Sequence, residues 1–173
     1  DPRNGEDLSI PDGVRIYVLS SAQHSGLTPL GAEISQQLPN VMNNGPFLRA
    51  ALSLMDGWTA DGVEPPASRV PTRDGGDLVE ASAALQAFPS VPGFDTPVAP
   101  SQLPRYDYGP GFEQGFVTEH PPVAISGQMY PVFVPQVDAD GNDIGGLRSP
   151  EIEVPVGTHT GWSLRKAGFA EGD

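Results

Sequence analysis

Glycine and proline occupy 21 and 20 of the 173 positions, and this share limits the chain more than any other feature. Glycine pays extra backbone entropy wherever regular structure forms, and proline removes a donor and fixes φ. Long helical bundles, coiled coils and collagen repeats are therefore poor readings, and loops must carry much of the fold. Only 38% of residues are hydrophobic, but two Trp, four Tyr and seven Phe supply large burial per side chain. A packed core is expected, and the length suits a single domain.

Nine Lys and Arg stand against 22 Asp and Glu, a formal net charge of -13. Phosphate backbones and anionic membrane surfaces are repelled by such a chain, so nucleic acid is not an expected partner. No apolar run approaches the length of a membrane span. Without cysteine, disulfides, thiolate metal sites and Cys nucleophiles drop out, and redox chemistry says nothing about compartment.

Val14-Arg-Ile-Tyr-Val-Leu19 reads as a buried strand, launched from the turn Pro11-Asp12-Gly13. It runs into Ser20-Ser-Ala-Gln-His24-Ser-Gly26. A histidine delivered by a strand into a Gly-containing loop can be a catalytic base or a surface loop residue, and the residues alone leave both readings open. Asn44-Gly-Pro46 opens a helix, with Phe47, Leu48, Ala51, Leu52, Met55 and Trp58 at three- and four-residue spacing. That stripe is expected to pack in a core, and Gly62 and Pro65-Pro66 stop the helix. Beyond Pro66, pieces such as Tyr130–Val134 and Ile152–Val156 lie between Gly, Pro and Asp clusters. They predict a β-rich, loop-rich stretch, with one short helix over Val79–Ala87. The division is then residues 1–66, holding strand, His24 loop and helix, and 67–173, a β-rich cover on the same core.

Asp138-Ala-Asp140-Gly-Asn142-Asp143 alternates oxygen ligands, yet Gly141 and Ser149 stand where a calcium loop would not have them. A turn between two strands explains it better. His24, His120 and His159 lack zinc spacing, so no metal and no cofactor is expected. There is no Gly-x-Ser-x-Gly turn, and Ser25 is badly placed as a partner for its neighbour His24. Any nucleophilic serine must come from outside this chain.

Several stretches, taken together and in order, resemble the C-terminal part of a bacterial family of alpha/beta hydrolase domain-containing proteins. They are Ile10–Tyr17, Ala22–Gly26, Phe47–Leu52 with Asp56-Gly-Trp58, Asp61–Arg69, Phe88–Gly93, Asp138–Asn142 with Gly145–Arg148, and Thr160-Gly-Trp162. The family often has Thr-Gln-His-Gly where this chain has Ala22-Gln-His-Ser25. The resemblance implies an α/β fold in which the last strand and helix of the hydrolase sheet precede the β-rich extension. It further implies that His24 is the triad histidine of an esterase-like serine hydrolase, with the serine and the acid upstream of Asp1. The expected partners are that N-terminal segment and a small-molecule ester, and the expected location is secreted or periplasmic. Both chain ends are expected to be cuts, and the chain is expected not to fold alone. The competing reading is a non-catalytic, secreted, β-rich binding or structural protein in which His24 is incidental; a companion chain bearing Gly-x-Ser-x-Gly separates the two.

Overall fold

The computed structural model describes every residue except 2, 3, 23–31, 33, 39, 41, 94, 160–162, 172 and 173. The histidine loop, with His24, thus lies outside the described residues.

Proline is tolerated in the first helical turn, and the helix α1 (Gly45–Asp61) starts where Asn44-Gly-Pro46 predicts. It ends at Gly62, whose φ of 71° lets its N–H reach back to Trp58 O. The expected core stripe is not a core here. No residue of α1 is buried, and Leu48, Leu52 and Met55 face solvent. The periodicity sets one apolar face on the helix, but no described element covers it.

The remaining elements are short. Strand β1 (Leu78–Glu80) leads directly into α2 (Ala81–Ala87), and both pack against β4 (Phe133–Pro135). β1 and β4 are antiparallel, with Val79 opposite Val134. A second antiparallel pair joins β2 (Pro104–Asp107) to β3 (Val123–Met129), with a register shift between Pro104 and Tyr106. A 3-10 turn over Phe112–Gln114 follows β2, and its Phe112 ring stacks on Tyr108 at 4.7 Å.

Two expectations fail here for local reasons. Ile152–Val156 contains no strand: Ser149-Pro150 starts the helix α3 (Pro150–Glu153), with proline in its first turn. Nor do residues 14–19 form a continuous, buried strand. They are extended, with isolated parallel bridges from Tyr17 to Arg69 and from Leu19 to Leu147. Ile16 O and Val18 N–H bond Arg69, and Val18 O and Ser20 N–H bond Leu147, so one edge of the segment is paired end to end. Among the described residues, the backbone groups of Arg15 and Tyr17 on the opposite edge find no partner. Val14, Ile16 and Val18 are all exposed.

Among the described residues, the buried apolar side chains are few, chiefly Met42, Ala84, Ile152 and Leu164. The accessible surface is 11540 Å², against about 8,100 Å² expected for a self-contained folded chain of 18.2 kDa. Large apolar side chains of α1, residues 14–18 and the loops are among those exposed. Among the described residues no helix is long and apolar enough to cross a membrane.

Candidate functional site

The most fully buried polar groups gather where the extended segment 14–20 ends. Ser20 and Ser21 are buried, and so are Asn40, Asn142 and Ser149. Ser20 Oγ donates to Gly145 O, which ties the end of the segment to the loop before α3. The loop comes this close because residue 146 is glycine. Its φ is 89°, and a Cβ there would sit 2.6 Å from Val18 O.

Ser21 has a φ of 54°, a left-handed conformation that costs an L-residue about 1–2 kcal/mol. Asp143 opposes that cost with a reciprocal pair of bonds. Ser21 N–H donates to Asp143 Oδ2 at 2.6 Å, and Asp143 N–H donates to Ser21 Oγ at 2.8 Å. Asn40 Nδ2 donates to Ser21 O on the other side. The chain is thereby turned sharply three residues before His24. Burial pushes the Asp143 carboxyl above its ordinary value, against the lowering effect of the Ser21 bonds and of Arg148.

Asp143 is itself held by the turn that the alternating acids predict. Val137 and Asp143 bridge antiparallel across it. Asp138 Oδ1 accepts the N–H groups of Asp140 and Asn142, each at 3.0 Å, and Asp138 Oδ2 takes Arg148 Nη2 at 2.7 Å. These bonds commit the Asp138 carboxylate to the turn and to the Arg148 guanidinium. Burial works to raise its pKa, but the Arg148 and backbone bonds outweigh burial and hold it below the ordinary range. Arg148 also donates to Asp143 O and, at 3.1 Å, to Ile152 O, so one guanidinium clasps the turn to α3. Among the described residues, no group of three or more His, Asp or Glu could hold a metal ion.

His159 N–H donates to Asn142 Oδ1 at 2.6 Å, while His159 Nε2 and Asn142 Nδ2 are buried and unpartnered among the described residues. His120 is exposed and far from this cluster in the chain. The structure therefore brings Ser20, Ser21, Asn40, Asp138, Asn142, Asp143, Arg148 and His159 into one connected network. His24, the residue the sequence singles out, lies three positions from Ser21 but outside the described residues.

Asp143 also lines a pocket of about 580 Å³. Its walls come from α2, β4 and residues 97–101, chiefly Ala84, Leu85, Phe88, Val98, Val134 and Val137. Sequence reasoning missed both the Ser21–Asp143 pair and this pocket. The Gly145-Gly146 doublet was the available signal, since adjacent glycines mark a close backbone approach.

No curated protein and no solved structure matches the chain significantly. A family model described as alpha/beta hydrolase domain matches residues 11–172. The match runs over nearly the whole sequence, from the start of the extended segment through the network to the last residues, and the chain belongs to the alpha/beta hydrolase domain family.

Proposed function

We propose that this chain is the C-terminal part of a serine hydrolase that cleaves small carboxylic esters. His24 is its general base and then its general acid, and an N-terminal segment contributes the serine and the carboxylate. The observation that carries this reading, beside the family, is the extended segment 14–20. One edge is paired in parallel with Arg69 and Leu147, the other is open at Arg15 and Tyr17 among the described residues, and the side chains of Val14, Ile16 and Val18 are exposed. Parallel strands are stable in sheets covered on both faces, so such a segment fits beside further strands with apolar layers over it. The bare apolar stripe of α1 suits the same arrangement.

His24 follows directly from that segment and the Ser20–Ser21 turn. A serine hydroxyl is a weak nucleophile at neutral pH. An imidazole within hydrogen-bond reach takes its proton as it attacks the ester carbonyl, then returns the proton to the departing alkoxide. Water, deprotonated by the same imidazole, frees the acid from the acyl-enzyme. The upstream carboxylate fixes the histidine tautomer and stabilises the imidazolium.

In the full protein, His24→Ala should lower turnover of an activated ester such as 4-nitrophenyl acetate by about a thousandfold or more, with the circular dichroism spectrum unchanged. Hydrolysis within a few-fold of wild type would overturn the assignment.

A further inference from the structure

The pocket beside Asp143 has a volume of about 580 Å³, within the range of roughly 300–1,000 Å³ common to small-molecule sites. Its walls are aliphatic or aromatic, from Ala84 and Leu85 of α2, Phe88, Val98, and Val134 and Val137 on the opposite side. Ser101, Ser163 and two ionisable residues, Asp143 and Arg165, make up its polar lining. These two differ in setting. Arg165 is exposed, so its guanidinium is hydrated and screened, whereas Asp143 is half-buried against the Ser21 turn.

A carboxylate offers about four lone-pair sites. Ser21 uses part of that capacity through its N–H and hydroxyl, and what remains is a hydrogen-bond acceptor beside an apolar cavity. Arg148, which bonds the Asp143 carbonyl, is already committed to Asp138 and to Ile152 O as well. A carboxylate-bearing ligand entering this cavity would meet the Asp143 carboxylate, and the cation in the lining, Arg165, is exposed and hydrated, within a chain of net charge -13. A hydroxyl group meets an acceptor that suits it.

We infer that this pocket binds a hydrophobic alcohol, its chain against Leu85, Phe88, Val98 and Val134 and its hydroxyl donating to Asp143. In taking that alcohol as the leaving half of an ester, the inference rests on the hydrolase reading; the binding itself does not. The pocket and the Ser21 turn share Asp143, so the alcohol half sits next to the turn that leads into the His24 loop.

Calorimetric titration of the full protein at neutral pH with 1-octanol and with sodium octanoate tests this. Octanol should bind saturably, and octanoate at least tenfold more weakly. Leu85→Trp, which fills the cavity from α2, should weaken octanol binding at least tenfold, and Val98→Trp, from the exposed opposite wall, should do the same without touching the helix. Octanoate binding as tightly as octanol, no saturable octanol binding, or octanol binding unchanged in both Trp variants would each overturn the inference. The readout needs no turnover. An active His24→Ala variant with intact octanol binding removes His24 as the catalytic base and leaves the pocket; esterase activity dependent on His24 without octanol binding does the reverse.

Discussion

Replacing Arg148 by Met removes a guanidinium that holds the candidate site together from three directions while keeping much of the side-chain volume. Its bond to Asp138 Oδ2 at 2.7 Å is charge-assisted, a class that contributes about 1.5–3 kcal/mol. The carbonyls of Asp143 and Ile152 would each lose a donor as well. The contact with Glu153 at 3.3 Å adds little, because that carboxylate is largely exposed. Two considerations keep the total below the 3–5 kcal/mol typical of breaking a fully buried pair. The Asp138 side chain retains 26% exposure and keeps its two backbone donors. The expected cost is therefore about 2–3 kcal/mol, measured as a shift in urea midpoint for the full protein. A double-mutant cycle with Asp138→Asn should return a coupling of about 1.5 kcal/mol. Arg15 and Glu64 supply the control, at the same 2.7 Å but with the Glu64 side chain 70% exposed; their coupling should stay below about 0.5 kcal/mol. Because the folded pKa of Asp138 is lowered, its contribution is complete above the ordinary value of 3.8 and is lost as pH falls through the folded value. A cost under about 0.5 kcal/mol for Arg148→Met, or equal couplings for the two pairs, would refute the reasoning that burial sets their worth.

Gly146→Ala should destabilise the protein by about 2 kcal/mol or more, since it adds left-handed strain to a Cβ placed 2.6 Å from Val18 O; a urea midpoint equal to wild type would show that the contact yields freely. Asp143→Asn carries the opposite sign to the Arg148 variant. The folded Asp143 carboxyl is raised by burial, so wild-type stability falls as pH rises from 3.8 through the folded value, a loss the amide does not share while its carbonyl still accepts Ser21 N–H. The variant should therefore gain on wild type as pH rises above the ordinary value of 3.8 in paired urea titrations, and a difference independent of pH would contradict the raised pKa.

The parts of this fold that the sequence announces are those with a local cause. Asn44-Gly-Pro46 and Gly62 bound α1 because proline suits a first turn and glycine a left-handed stop. The turn at Asp138–Asn142 follows from an Asp side chain bonding the N–H groups two and four residues on. What periodicity does not carry is the identity of the covering layer, so the stripe of α1 reads as core and stands exposed. Ile152–Val156 fails as a strand because β-branched composition yields to the Ser149-Pro150 helix start and to Arg148 on Ile152 O. Beyond the Asp138 turn and the Gly145-Gly146 doublet, the network around Ser21 has no signal in the sequence, for a different reason. Its members fall in three groups, at positions 20–21, 40 and 138–159, and the separations between those groups are far longer than any helical or strand period.

Those long spacings also fix when the network can form. Ser21 and Asp143 are separated by 122 residues, and Ser20 and Gly145 by 125. Among the described residues, the shorter-range bond to Ser21 in the meantime is the one Asn40 offers from 19 residues away. Closing so long a loop must come before the contacts that reward it, which makes this network a late event in folding. On the ribosome the delay is explicit: at about 5–20 residues per second, Ser21 waits roughly 6–24 s for Asp143 to be made. During that interval the segment at 14–20 has neither Leu147 nor the Ser21–Asp143 lock, and its apolar Val14, Ile16 and Val18 are open to any strand that arrives first.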